Sequence, residues 1–277
     1  MPRVALVLAF DGTRFAGWQA QRTGVRTVQG ELEAALARIT ASERVVVEGS
    51  GRTDAGAHAL GLVAHADLER VPERLERRLN GVLPEDVRVR GAVVVADAFH
   101  ARKSARGKRY HYDLHVAREA DVLRRHVTLL VSARLDVDAM REAARLLVGE
   151  HDFASFQTAG SSVKTTTRRV DRCDVIGDPP SVRIVVEGSG FLRHMVRAMV
   201  GTLLQVGHRR RPVVWAAQVL DARSRNAAGP NAPAHALVLD EVFYGEPWAS
   251  MLQQACWRRE RDTRLPAAAS AWHGDEE

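Results

Sequence analysis

The stretch KRYHYDLHV, Lys108 to Val116, alternates so that Tyr110, Tyr112, Leu114 and Val116 share one face, the period-2 signature of a strand. Downstream, Asp136 can cap a helix whose stripe includes Met140, Ala143, Ala144 and Leu147 and which ends at Gly149. Strands follow at Arg168–Ile176 and Val182–Glu187. Phe191, Met195, Met199 and Leu203 then recur every fourth position, which predicts a helix over Phe191–Val206 with Gly207 as its stop. Pro212 opens one more helix, and Ala236–Tyr244 reads as a closing strand. The order that begins at Lys108 is therefore β-α-β-β-α-β.

The same order lies upstream. Val4–Phe10 is apolar on both alternations, as expected of a strand covered on both faces. Thr27 can cap a helix striped by Val28, Leu32, Ala35, Leu36 and Ile39. Strands are expected at Arg44–Glu48 and Leu60–Ala66. A short helix opens at Pro72 and closes at Gly81, and Val87–Ala96 is again a strand. Two such runs predict an α+β fold: two ferredoxin-like halves joined by their edges into one large antiparallel sheet, with helices on one face and a central cleft. The halves are 1–105 and 106–245. The tail 246–277 carries a short amphipathic run, Met251 to Trp257, and otherwise has the composition of a partly disordered segment.

The chain has 277 residues, 45% of them hydrophobic, enough for a substantial core. A net charge of +6 leans towards a polyanionic partner, and arginine, which supplies all the cations except Lys103, Lys108 and Lys164, suits phosphate forks and base stacking. Biased genomic base composition would enrich arginine equally well. Cys173 and Cys256 form no metal-ligand spacing and no disulfide framework, so a reducing compartment is expected. The apolar run in Met1–Phe10 meets Asp11-Gly12 too soon for a signal peptide, and no stretch approaches about 18 apolar residues, so a soluble, cytoplasmic protein with no membrane partner is expected.

The sharpest local feature is GSGRTDAGAH, Gly49 to His58, between two expected strands. Its glycines permit close backbone approach, and Arg52 stands near enough to Asp54 to pair with it and keep the carboxylate ionised. Such an Asp can be a nucleophile, a base or an anchor. Local sequence alone favours the blander reading, a turn carrying a surface ion pair, because Asp and Gly dominate turns. RGKRYHY, Arg106 to Tyr112, leads basic residues into a strand with two tyrosines, which can track phosphates and stack a base or simply form a half-buried strand face. Arg193 and Arg197 share a face of the expected long helix, pointing either into a cleft or into solvent. The histidines show no helical ligand pair; His111 and His115 have that spacing, but on a strand. Phosphate-binding and dinucleotide-binding glycine motifs are missing, so nucleotide hydrolysis and hydride transfer have no support.

Several segments, taken in order, closely resemble the tRNA pseudouridine synthase A family: Phe10–Gln21, Thr27–Gly30, Gly51–Gly56, Asn80–Pro84, Phe99–Arg102, Arg109–Tyr112, Asp152–Phe156 and Phe191–Arg197. The resemblance runs from about Val4 to Tyr244. Departures include Phe10 where tyrosine is common, Ala57 where valine is usual, Leu62 in place of glutamine, Lys103 in place of an aromatic, and Ala236-Leu237 in place of Gly-Leu. None removes the carboxylate, its arginine or the tyrosine.

The resemblance implies isomerisation of uridine to pseudouridine at tRNA positions 38, 39 and 40 of the anticodon stem-loop, by a homodimer without cofactor or metal. It implies that Asp54 is the nucleophile or base at the sugar, and that Arg52 holds Asp54 ionised and keeps the target nucleotide flipped out. Tyr110 would stack on the base and assist proton removal from C5. Leu237 would wall the pocket, and Arg197 would be an ion-pair or phosphate partner beneath it. Two rivals carry distinct expectations. A non-catalytic RNA-binding protein has no need of Arg52, Asp54 and Tyr110 together, and a metal-dependent hydrolase built on Asp54 and His58 would lose activity on chelation.

Overall fold

A computed structural model describes residues 1–21, 24–131, 134–158 and 163–262. Among these, ten strands form one sheet in the order β4-β1-β3-β10-β5-β9-β8-β7, with β2 added to β3 and β6 to β5. The N-terminal half runs β1 (Arg3–Phe10), α1 (Val28–Thr40), β2 (Val47–Gly49), β3 (His58–Asp67), α2 (Leu75–Val82) and β4 (Val87–Val95). The C-terminal half runs β5 (Ala105–Val116), β6 (Leu129–Val131), α3 (Val137–Arg145), β7 (Gly149–Asp152), β8 (Thr167–Ile176), β9 (Ser181–Gly188), α4 (Met195–Gly207), α5 (Trp215–Ala222) and β10 (Leu237–Tyr244). With the inserted β6 and β7 set aside, each half has its fourth strand beside its first, its first beside its third, and its third beside its second. This is the ferredoxin-like arrangement the repeated order predicts.

The sheet is mixed where wholly antiparallel pairing was expected. The halves join through β3 and β10, which run parallel, with Val238 opposite His58 and Leu239 opposite Ala59. β2 begins only at Val47 because Val47 already pairs with Ala66, and β3 ends one residue further on at Asp67, leaving the start of the valine run little strand to pair with. The inserted β6 is parallel to β5, and β7 extends the far edge on β8; at three and four residues, neither has a periodicity a sequence can show.

Local chemistry sets the helix starts. The Thr27 hydroxyl accepts from the Gly30 N–H at 3.3 Å, and the Asp136 carboxylate from the Ala139 N–H at 3.0 Å. The stripes they launch, Val28, Leu32 and Leu36 on α1 and Met140, Ala143 and Ala144 on α3, are buried. The long helix departs from expectation. Phe191–His194 is not helical, and α4 starts at Met195 because His194 sits in the left-handed region at φ 62°. Arg193 and Arg197 therefore do not share a helical face. In the tail, α6 (Trp248–Asp262) lies along β4 with Leu252 buried, while residues 263–277 lie outside the described residues. Among the described residues no helix is long and apolar enough to cross a membrane.

Candidate active site

The seam between the halves opens into a cleft of about 1210 Å³. Its walls come from the 49–58 loop, β5, the start of α4 and the start of β10, and they include Arg52, Asp54, Lys108, Tyr110, Arg197 and Leu237. The loop is held from beneath. Ser50 is fully buried, and its N–H donates to the Val63 carbonyl at 2.7 Å. The Trp18 N–H donates to the Thr53 carbonyl at 3.2 Å and the Gly56 N–H to the Phe15 carbonyl at 3.3 Å, so the 12–18 segment clamps both sides of Asp54. Gly17 makes that clamp feasible: its φ is +95°, and a Cβ there would stand 2.6 Å from the Thr53 carbonyl oxygen.

Asp54 turns inward to α4. Its Oδ2 lies 2.8 Å from Arg197 Nη1 and its Oδ1 lies 3.3 Å from His194 Nε2. Arg197 is itself fixed, because its Nε donates to the Ala232 carbonyl at 2.7 Å. A carboxylate that accepts at Oδ1 requires the His194 proton on Nε2, which leaves Nδ1 to accept from the Thr158 hydroxyl at 2.6 Å. Burial lowers the His194 pKa; Asp54 opposes this, and Arg197 adds to it. Neutral His194 and cationic Arg197 thus grip both oxygens of one carboxylate.

Arg52 is not the partner of Asp54. Its Nε donates to the Gln19 side-chain carbonyl at 3.1 Å, and its side chain is exposed at the cleft mouth. The loop is pinned at Thr53, and the residues on either side diverge, Asp54 to α4 and Arg52 to the rim. The ion pair expected from a neighbour two residues away comes instead from Arg197 on the other half. His194 was missed in the sequence as a site residue. It lies within the helical repeat, and only its left-handed backbone, which is uncommon outside glycine and concentrates at functional sites, sets it apart.

Tyr110 is 9% exposed and packs edge-on against Phe191 with ring centroids 5.2 Å apart. Burial, and then the Asp54 carboxylate, push its hydroxyl above the ordinary range, so it is a neutral phenol at physiological pH. Leu237 opens β10 opposite Tyr112 and presents a buried apolar wall.

His58 lies on the cleft wall, but its ring is spent on the backbone. Its Nδ1 accepts from the Gly12 N–H at 3.0 Å, and its Nε2 lies 2.8 Å from the carbonyls of both His126 and His235. Both ring nitrogens are engaged in tying loops together, which leaves no lone pair for a metal shared with Asp54. Among the described residues one other cluster has the composition of a metal site: ligand atoms of Glu48, His65 and His100 lie within 4.8 Å of one another. There too Nδ1 is an acceptor, from the Ala101 N–H at 3.3 Å in His65 and from the Arg102 N–H at 3.2 Å in His100. A neutral ring that accepts at Nδ1 carries its proton on Nε2, and in His100 that group faces Glu48 at 3.2 Å. Metal-bound histidines have the opposite arrangement, donating through the free nitrogen.

The Asp54 carboxylate is thus clamped at the seam of two ferredoxin-like units, in one cleft with a neutral tyrosine and an apolar wall. The sequence model of the family described as tRNA pseudouridine synthase matches residues 6–102 and 143–245. A tRNA pseudouridine synthase A of Myxococcus xanthus is 47% identical over 247 residues, covering 88% of this chain and 92% of that protein. Those of Shouchella clausii and Geobacter sulfurreducens are 45% and 44% identical, covering 89% and 88% of this chain and 95% and 100% of their own lengths. The chain belongs to the tRNA pseudouridine synthase family, a family of isomerases.

Proposed function

We propose that this protein isomerises uridine to pseudouridine at positions 38, 39 and 40 in the anticodon stem-loop of tRNA, with Asp54 as the nucleophile. The observation that carries this reading is the Asp54 carboxylate, held by Arg197 and His194 at the floor of a cleft that also presents Tyr110 and Leu237. The target nucleotide must leave its stack to reach such a floor. Asp54 acts at the sugar, the C1′–N1 bond breaks, and the freed uracil turns so that C5 bonds to C1′. The C5 proton is then lost and N1 gains one, so the reaction is balanced without cofactor or metal. Tyr110 stacks on the base and its phenol takes part in the C5 proton transfer. Leu237 packs against the ring. Arg197 fixes the carboxylate, and Arg52, at the mouth, holds the extruded nucleotide.

In this reading the half 1–105 supplies Asp54, the half 106–245 supplies Tyr110, Arg197 and Leu237, and 246–277 is an appended tail. The family resemblance, which runs from about Val4 to Tyr244, supports a cytoplasmic homodimer with one tRNA spanning both subunits. The test is tritium release from tRNA labelled at C5 of uridine, in chelator, comparing the parent with Asp54→Ala. The expected outcome is release by the parent and none by the variant, at the three anticodon-arm positions. Release by Asp54→Ala would remove the nucleophile assignment, and modification elsewhere in the tRNA would remove the positional one.

A further inference from the structure

Lys108 occupies an unusual position in the cleft. It lies two residues before Tyr110 on β5, and both side chains line the cleft, about 7 Å apart along the strand. Its Nζ donates to the Ser50 carbonyl at 2.8 Å, passing so close to the loop that a Cβ on Gly51 would stand 2.4 Å away. An ammonium has three donors, and one is used. Among the described residues no carboxylate forms a salt bridge with it, and the charged neighbour that acts on it most, Arg102, is also positive. Burial, and then Arg102, lower its pKa to about 8. The carboxylate nearest the chemistry, Asp54, is already taken by Arg197 and His194. A cation with spare donors, walled in without a counter-ion beside a base-stacking tyrosine, calls for an anion brought by the ligand.

We propose that Lys108 binds a backbone phosphate flanking the flipped uridine, so that Tyr110 and Lys108 together grip one nucleotide by its base and its phosphate. This rests on the reading of the cleft as a uridine-isomerising site. The spacing fits, since the step from Tyr110 to Lys108 along one strand face is of the size that separates a base from its own phosphate. Arg52 and Arg102 line the same cleft.

The test is a coupling measurement with the full-length protein. Parent and Lys108→Gln are titrated with an unmodified tRNA anticodon stem-loop and with the same RNA carrying a neutral methylphosphonate, first 5′ and then 3′ of the target uridine, over a range of NaCl. One of the two substitutions is expected to weaken parent binding about tenfold and to leave Lys108→Gln unchanged. The slope of log affinity against log salt is expected to fall by about 0.7 to 0.9 in that variant and to persist in Lys108→Arg. If both methylphosphonates weaken parent and variant alike, or if the salt slope is unchanged, Lys108 acts only through the Ser50 carbonyl and the proposal fails.

Should Lys108→Gln not fold, the parent decides. Its affinity should fall up to tenfold per pH unit above about 8, a limb that the methylphosphonate should erase. The other charged or titratable groups on the cleft wall are Glu48, Arg52, Asp54, His58, Arg102, Tyr110, Arg193, His194 and Arg197, and the methylphosphonate comparison separates Lys108 from them. A parent that binds the RNA through this limb but does not isomerise it would fault the reading of the reaction and not the phosphate site. A parent that binds no RNA overturns both.

Discussion

Arg197 Nη1 meets Asp54 Oδ2 at 2.8 Å across 143 positions of sequence, so the Asp54 carboxylate on one half is neutralised by a helix on the other. The pair is partly buried, with side-chain exposures of 17% and 23%, so losing one partner leaves a charge only partly solvated. Arg197→Met should cost about 1–3 kcal/mol of stability, less than a fully buried pair, and cut kcat by at least a hundredfold. Arg52→Ala removes a rim residue bonded to Gln19 and should raise KM with little change in Tm. Steady-state kinetics and thermal melts on the two variants check the division; an Arg52→Ala enzyme that melts like Arg197→Met would restore Arg52 as the structural partner.

His194 yields a prediction about acid. Its folded pKa is lowered by burial below the 6.5 of the free group, so between the two values the unfolded chain binds more protons than the native one. The stability it contributes is complete above pH 6.5 and is lost as pH falls below that value. His194→Asn keeps a residue that tolerates the left-handed backbone and removes the titration. Its melting temperature should therefore decline less than that of the parent between about pH 6.5 and 5, while its activity falls because Asp54 loses one anchor. Parallel decline of the two proteins would mean that other lowered histidines, His65 and His235, govern the acid limb.

What the sequence showed and what it hid divide along one line. Elements with long periodicity, such as the β5 alternation and the stripes of α1 and α3, were legible because burial of one face dictates residue type at each step. So was the loop carrying Asp54, through its glycines and its family resemblance. The identity of the partner of Asp54 was not. Local proximity pointed to Arg52, but pairing across the seam depends on the parallel joint of β3 with β10, which leaves no local pattern. His194 was hidden for a related reason: it is set apart by a left-handed backbone, within an apolar repeat at every fourth position that predicts continued helix.

Lys108 carries a signature at alkaline pH. Its pKa falls from 10.5 to about 8 on folding, so across that window the unfolded chain holds the extra proton and stability rises with pH. Below about pH 8 the cost of burying the charge is present in full, offset by a charge-assisted bond to Ser50 of about 1.5–3 kcal/mol. Lys108→Met exchanges both terms at once. It should melt within a few degrees of the parent at pH 7 and show a flatter Tm between about pH 8 and 10. A steep loss of Tm at pH 7 would show that the Ser50 bond outweighs the burial cost and that the loop depends on it.

Tyr110 separates ring from hydroxyl. The ring is fixed by its edge contact with Phe191 and by burial, both of which Tyr110→Phe keeps. Among the described residues burial and the Asp54 charge act on the hydroxyl and no hydrogen bond does, so its removal leaves no partner unsatisfied, and Tm should hold within about one degree of the parent. The two proposed roles, stacking on the base and proton transfer at C5, then come apart. RNA affinity should survive in Tyr110→Phe and fall in Tyr110→Ala, while tritium release from C5 should be lost in both. Because burial and Asp54 hold the phenol above its ordinary pKa, the parent rate should show no alkaline limb from free tyrosine ionisation near pH 10, whereas a limb there that Tyr110→Phe removes would mean that the phenol ionises as an exposed one does. If Tyr110→Phe releases tritium at the parent rate, the hydroxyl has no part in the reaction, and C5 must lose its proton to another group in the cleft, among them the carboxylate of Asp54, whose charge acts on Tyr110.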